Sequence, residues 1–156
     1  MTIFRKIRLR PTQLRTVAER RFDDAETLRK TGQNARANGA IYLGGFVLEC
    51  LLKARLLERF PWLQSAGSPE GRSSADLRLW SLCYRSHDLD EILGRLPDVI
   101  DKLSRVEGRQ STRLVQSLKS ICAQWTIFAR YSPYTADIDD ARLFLAQIKE
   151  IKSWLN

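Results

Sequence analysis

Apolar residues recur along this chain with a period near 3.6, and no run alternates with a period of two, so the pattern predicts helices rather than strands. Residues 12–31 place Leu14, Val17, Ala18, Ala25 and Leu28 on one stripe with Phe22 beside it, and Gly32 is a natural stop. Residues 34–59 are apolar around nearly the whole circumference, which makes that helix central or shared with a second subunit. Pro61 ends it, and the Gly-, Ser- and Pro-rich stretch 61–76 reads as the one long loop. A short helix follows at 77–84. The next begins at Asp88, an N-cap with Glu91 three residues on completing a box-like cap. Pro97 kinks this segment or opens a new one that runs to about Arg105, and 107–111 is a turn. Residues 112–129 carry the cleanest stripe, Leu114, Leu118, Ile121, Trp125 and Phe128, with Ser111 as N-cap. Pro133 keeps Ser132 out of the α region, so 130–135 breaks the helix. The last helix covers 137–155 with Ala141, Leu145, Ile148 and Leu155 inward and Ile151 at the edge; its acidic start and basic end suit the helix dipole. The expected fold is all-α: an up-and-down bundle of four to five helices, four of them long, in one domain over 12–156 behind an arm at 1–11.

Charge changes the picture at the N-terminus. Within residues 1–21, seven arginines and lysines face Glu19 alone, which places +6 of the net +8 there. Such an arm suits RNA or an acidic protein surface, or serves as a solvated extension. The opening residues lack the apolar core and cleavage site of a secretory leader, and no apolar run reaches the ~18 residues of a membrane span. Cys50, Cys83 and Cys122 are dispersed and odd in number, without a metal-ligand spacing, and read as reduced core residues of a cytoplasmic protein.

Phosphate-binding, dinucleotide, zinc-protease and serine-hydrolase signatures are absent. The stretch "IYLGGFVLECLLKA" raises two questions of its own. Gly44 and Gly45 let another helix come close, within the bundle or across a dimer. Glu49 and Lys53 stand four apart in the favourable order, and a carboxylate on so apolar a helix needs a partner, for which Arg130 is a candidate beyond Lys53. His87, the single histidine, reads as a capping or packing residue or as a group that returns to a site in three dimensions.

The order "YLGGFVLECLLKA", "HDLDEIL" and "WTIFARYSPY" followed by a closing helix resembles the HEPN family (higher eukaryotes and prokaryotes nucleotide-binding domain) over residues 12–155. It is most similar to the small prokaryotic type often paired with a minimal nucleotidyltransferase. The resemblance implies a helical bundle that homodimerises, acts in a toxin–antitoxin or defence-like setting, and needs no cofactor or metal. Many members are metal-independent RNases whose motif is an Arg followed by a His four to six residues later. Arg130 matches the Arg by position, whereas Tyr131, Ser132, Pro133, Tyr134, Thr135 and Ala136 supply no His. The expected function is therefore a catalytically degenerate module that binds a nucleotidyltransferase-type protein, RNA, or both. Glu49, Lys53, Arg130 and Tyr134 are its candidate binding residues. The alternatives are an active RNase using Arg130 with His87 or Tyr131, His being the usual group for moving a proton near neutral pH, and a structural homodimer.

Overall fold

The computed structural model describes residues 9–65, 71–106 and 108–156, leaving aside the side chains of Arg109, Phe128 and Arg130. Among these residues the structure is all helical, with seven α-helices and no strand: α1 (Pro11–Lys30), α2 (Ala37–Arg59), α3 (Ser74–Tyr84), α4 (Leu89–Gly94), α5 (Pro97–Ser104), α6 (Arg109–Gln124) and α7 (Ile138–Leu155). Three short 3₁₀ turns, Asn34–Arg36, Pro61–Gln64 and Ile127–Tyr131, join or extend them. As the pattern predicts, α1, α2, α6 and α7 are the long ones.

Helix α1 starts at Pro11, whose fixed φ suits the first helical position, behind an extended Arg10. It closes at Gly32, whose φ of +68° lies in the left-handed region. Leu14, Ala18, Phe22 and Ala25 are its buried face. Phe22 lies within the stripe rather than beside it, and Val17 and Leu28 flank the core.

Helix α2 is the hub, packing along α1 and α7 and touching α4 and the Ile127–Tyr131 turn. Its apolar circumference is thus consumed within one chain. Gly44 takes the side chains of Leu145 and Phe144 from α7, and Gly45 takes the indole of Trp125; a Cβ at Gly45 would stand 2.0 Å from Trp125 Nε1. The close approach that these glycines permit is therefore internal.

Local corrections follow from caps and tertiary contacts. Residues 61–76 are not one loop: Pro61–Gln64 is helical, α3 begins at Ser74, and the Ser73 hydroxyl accepts from the Asp76 amide. Residues 66–70 of that predicted loop, residues 1–8 of the basic arm and Glu107 of the predicted turn lie outside the described residues. Pro97 opens a separate helix. The Asp88 carboxylate caps the Glu91 amide at 2.9 Å, but the Glu91 carboxylate accepts from Arg78 instead of reaching back, so the cap is single. The full box occurs at α7, where the Asp137 side chain accepts from the Asp139 amide and the Asp140 side chain accepts from the Asp137 amide. Gly108, not Ser111, is the N-cap of α6; its φ of +74° turns the chain into the helix and leaves Ser111 inside the first turn.

Helix α6 ends at Gln124, five residues before the stripe suggested, because Trp125 becomes extended and lays its indole over Gly45 and alongside Tyr42, ring centroids 6.0 Å apart. Leu114, Leu118, Ile121 and Trp125 are buried as expected, while the Phe128 side chain lies outside the described set. On α7, Ile151 is fully core rather than at an edge. Glu19 of α1 accepts from Lys152 and from Asn156, which ties the first and last helices together. Lys152 holds the Glu19 carboxyl below its ordinary range.

All three cysteines are free and buried. Burial, first among the causes, pushes the Cys50 and Cys122 thiols up to about 12 and Cys83 to about 11. None of the three should react with a disulfide reagent at pH 8 in the folded protein, and all three should react once urea unfolds it; fast labelling of the native chain would contradict this packing. Because the folded pKa values are raised, their contribution to stability is complete below the unfolded thiol value of ~8.5 and declines as pH rises toward the folded values.

Candidate functional site

Glu49 lies halfway along α2, 3% exposed, and Lys53 one turn further, 7% exposed. The Lys53 ammonium donates to Glu49 Oε1 at 2.8 Å and to the carbonyl of Ser86 at 2.7 Å. His87 Nδ1 stands 3.0 Å from both Glu49 oxygens. An ionised carboxylate only accepts hydrogen bonds, so the His87 nitrogen that faces it, Nδ1, carries a proton and donates. The segment Ser86–Asp88 before α4 is thereby pinned to the hub helix from below, by Lys53 through the backbone and by Glu49 through the imidazole.

The His87 side chain is 39% exposed and opens onto a cleft of about 610 Å³. The approach to α4 and its first turn contribute Ser86, Asp88 and Asp90, and the end of α6 and the residues just beyond it contribute Cys122, Trp125 and Thr126. No described lysine or arginine lines it. Asp88 is committed as the α4 cap, and Asp90 is exposed in the first turn. Ser86 Oγ accepts from the Asp88 amide. Among the described residues no group of three His, Cys, Asp or Glu side chains is placed to hold a metal ion.

Of the residues singled out in the sequence, the fold brings Glu49, Lys53 and His87 together. The observed partners of Glu49 are Lys53 and His87; the suggested Glu49–Arg130 pair depends on a side chain outside the described set. The Arg130 backbone sits in the 3₁₀ turn Ile127–Tyr131, one such turn beyond the cleft residue Ile127. Tyr131 and Tyr134 are exposed. Tyr134 belongs to a neighbouring hollow with Asn38, Ile41 and Ala136. The Asn38 side chain clamps that segment, donating to the Tyr134 carbonyl at 2.6 Å and accepting from the Ala136 amide at 2.8 Å. Trp125 packs, as its place on the core stripe implies.

The sequence reading missed Asp90 and Thr126 as cleft residues. Asp90 carried a signal, because two aspartates closely follow a histidine at a helix start. Thr126 carried none, since its place depends on where α6 stops. Compared with known proteins, the chain matches no family model, no curated protein and no solved structure.

Proposed function

We propose that the chain is a HEPN-like helical module that acts by binding a protein partner at the His87 cleft rather than by cleaving RNA there. The observation that carries this reading is the charge of the lining. His87 lines the cleft together with Asp88 and Asp90, and no described lysine or arginine is among the lining residues. A phosphodiester would meet two carboxylates. A lysine or arginine from a partner would meet those two carboxylates, and such complementarity sets partner choice and association rate. The resemblance adds the kind of partner, a nucleotidyltransferase-type protein in a toxin–antitoxin-like pair in the cytoplasm, with the module itself a homodimer.

A metal-independent RNase is the second reading, and one observation favours it. A carboxylate-held imidazole on the wall of a cleft is the arrangement of an oriented general base, and the turn bearing Arg130 starts at the same cleft.

The two are separated by one set of proteins. Incubated with unstructured RNA in EDTA, the purified chain should leave it intact. Co-expressed with a nucleotidyltransferase-type protein encoded beside it, it should form a complex that Asp90→Arg weakens by about tenfold, roughly 1.4 kcal/mol. RNA cleavage that vanishes in His87→Ala and Arg130→Ala would replace the first reading by the second. A complex indifferent to Asp90→Arg would remove the cleft from the binding site.

A further inference from the structure

Helix α3 is the least buried of the longer helices: of its eleven residues only Leu82 and Cys83 enter the core. Leu77, Trp80 and Tyr84 stand at i, i+3 and i+7, one face of the helix, and that face is incompletely covered. Leu77 is 43% exposed, and Trp80 and Tyr84 are half-buried. The two rings stack, centroids 5.3 Å apart with planes 28° from parallel. The Arg85 guanidinium lies 4.9 Å over the Trp80 ring. The Tyr84 hydroxyl donates to the Leu63 carbonyl at 2.7 Å, which joins α3 to the Pro61–Gln64 turn. Beside Leu63 on that turn, Trp62 carries a second guanidinium, Arg72, at 4.0 Å. Two arginine–tryptophan pairs thus stand on adjoining segments. Arg72 and Arg85 have exposed side chains, and neither shows an ion pair in the described structure. Arg78 nearby is already paired with Glu91 at 2.6 Å.

We infer that this arginine–aromatic face of α3 binds single-stranded nucleic acid, separately from the His87 cleft. Guanidinium groups laid on indoles present both a fixed positive charge and a flat surface, and a single strand supplies both complements: phosphates for the charge and bases for the planes. A duplex hides its bases within the stack. A second copy of this chain is a poor occupant, since a two-fold contact would bring the same patch of both copies together, with Arg72 and Arg85 on each side and no described acidic partner between them. An acidic peptide matches the charge and leaves the rings unused.

The test uses the full chain and a fluorescein-labelled ten-nucleotide oligouridylate in 50 mM salt. Binding should quench tryptophan emission and fall with rising salt, with a slope of about −0.7 per phosphate contacted. Arg72→Gln and Arg85→Gln should each weaken binding by about tenfold and make the slope shallower by ~0.7, because each removes one phosphate contact. Both positions are exposed, so thermal melts of these variants should match the parent, and Lys149→Gln on α7, the same charge loss elsewhere, should bind as the parent does. Several results would overturn the inference. These are failure of the oligouridylate to bind the parent chain, undiminished binding by the double arginine variant, a loss in Lys149→Gln as large as in Arg85→Gln, and competition by oligoglutamate or an RNA duplex as strong as by the single strand.

Discussion

Glu49→Ala is expected to lower the unfolding free energy by about 3–5 kcal/mol, the largest effect of any single polar substitution in the chain. The cause is not the loss of an attractive pair as such. Lys53 is 7% exposed, and without Glu49 its ammonium keeps one described acceptor, the Ser86 carbonyl, in a place too buried for water to replace the other. His87 would lose the carboxylate that fixes its orientation, so the segment leading into α4 should loosen too. Urea unfolding of the variant measures the first effect, and hydrogen exchange at the Leu89 and Asp90 amides the second. The double replacement Glu49→Leu with Lys53→Met discriminates further. It exchanges a buried ion pair for apolar side chains and should recover most of the loss, since such exchanges are often neutral or stabilising. A change below 1 kcal/mol in Glu49→Ala would mean that the pair is solvated.

Gly45→Ala is expected to cost about 2–3 kcal/mol even though alanine is the better helix former by ~1 kcal/mol. The added Cβ would lie 2.0–2.3 Å from the Trp125 indole, and that ring has little room to retreat, being 8% exposed and stacked on Tyr42. Gly44→Ala meets Leu145 and Phe144 side-chain atoms at 2.7–2.8 Å and should cost less, because those are the ends of more flexible groups. The measurement is a set of thermal melts with a double-mutant cycle. If the indole is the obstacle, Trp125→Leu should relieve Gly45→Ala by at least ~1 kcal/mol of coupling. Additive effects would show that the clash lies elsewhere.

The helices were legible because α1, α6 and α7 each have a one-sided apolar stripe at period 3.6, which has few other solutions, and α2 is apolar nearly all round over a length that suits a helix. Leu114, Leu118 and Ile121 on α6, and Ala141, Leu145 and Ile148 on α7, are buried as their spacing required. The ends were less legible. Periodicity continues smoothly through Trp125 and Phe128, yet α6 stops at Gln124, since the indole is drawn onto Gly45 of another helix. The sites followed the same division. Glu49 announced that it needed a partner, as any carboxylate among leucines must, but the sequence pointed to Arg130 beyond Lys53, and the partner observed beyond Lys53 is His87.

The chain by itself determined that it is all-α, which faces turn inward, and that Glu49 and Lys53 form a pair. Those properties follow from covalent order: residues three and four apart on a helix meet whatever else happens. The tertiary structure alone decided that the two glycines serve α7 and Trp125 of the same chain, and that His87, thirty-eight positions away, completes the Glu49 pair. It also set two aspartates beside that imidazole in one cleft and left the arginine-covered Trp80 of α3 only partly buried. Contacts of that kind depend on how rigid helices settle against one another, and the packing of whole surfaces fixes them rather than any local spacing.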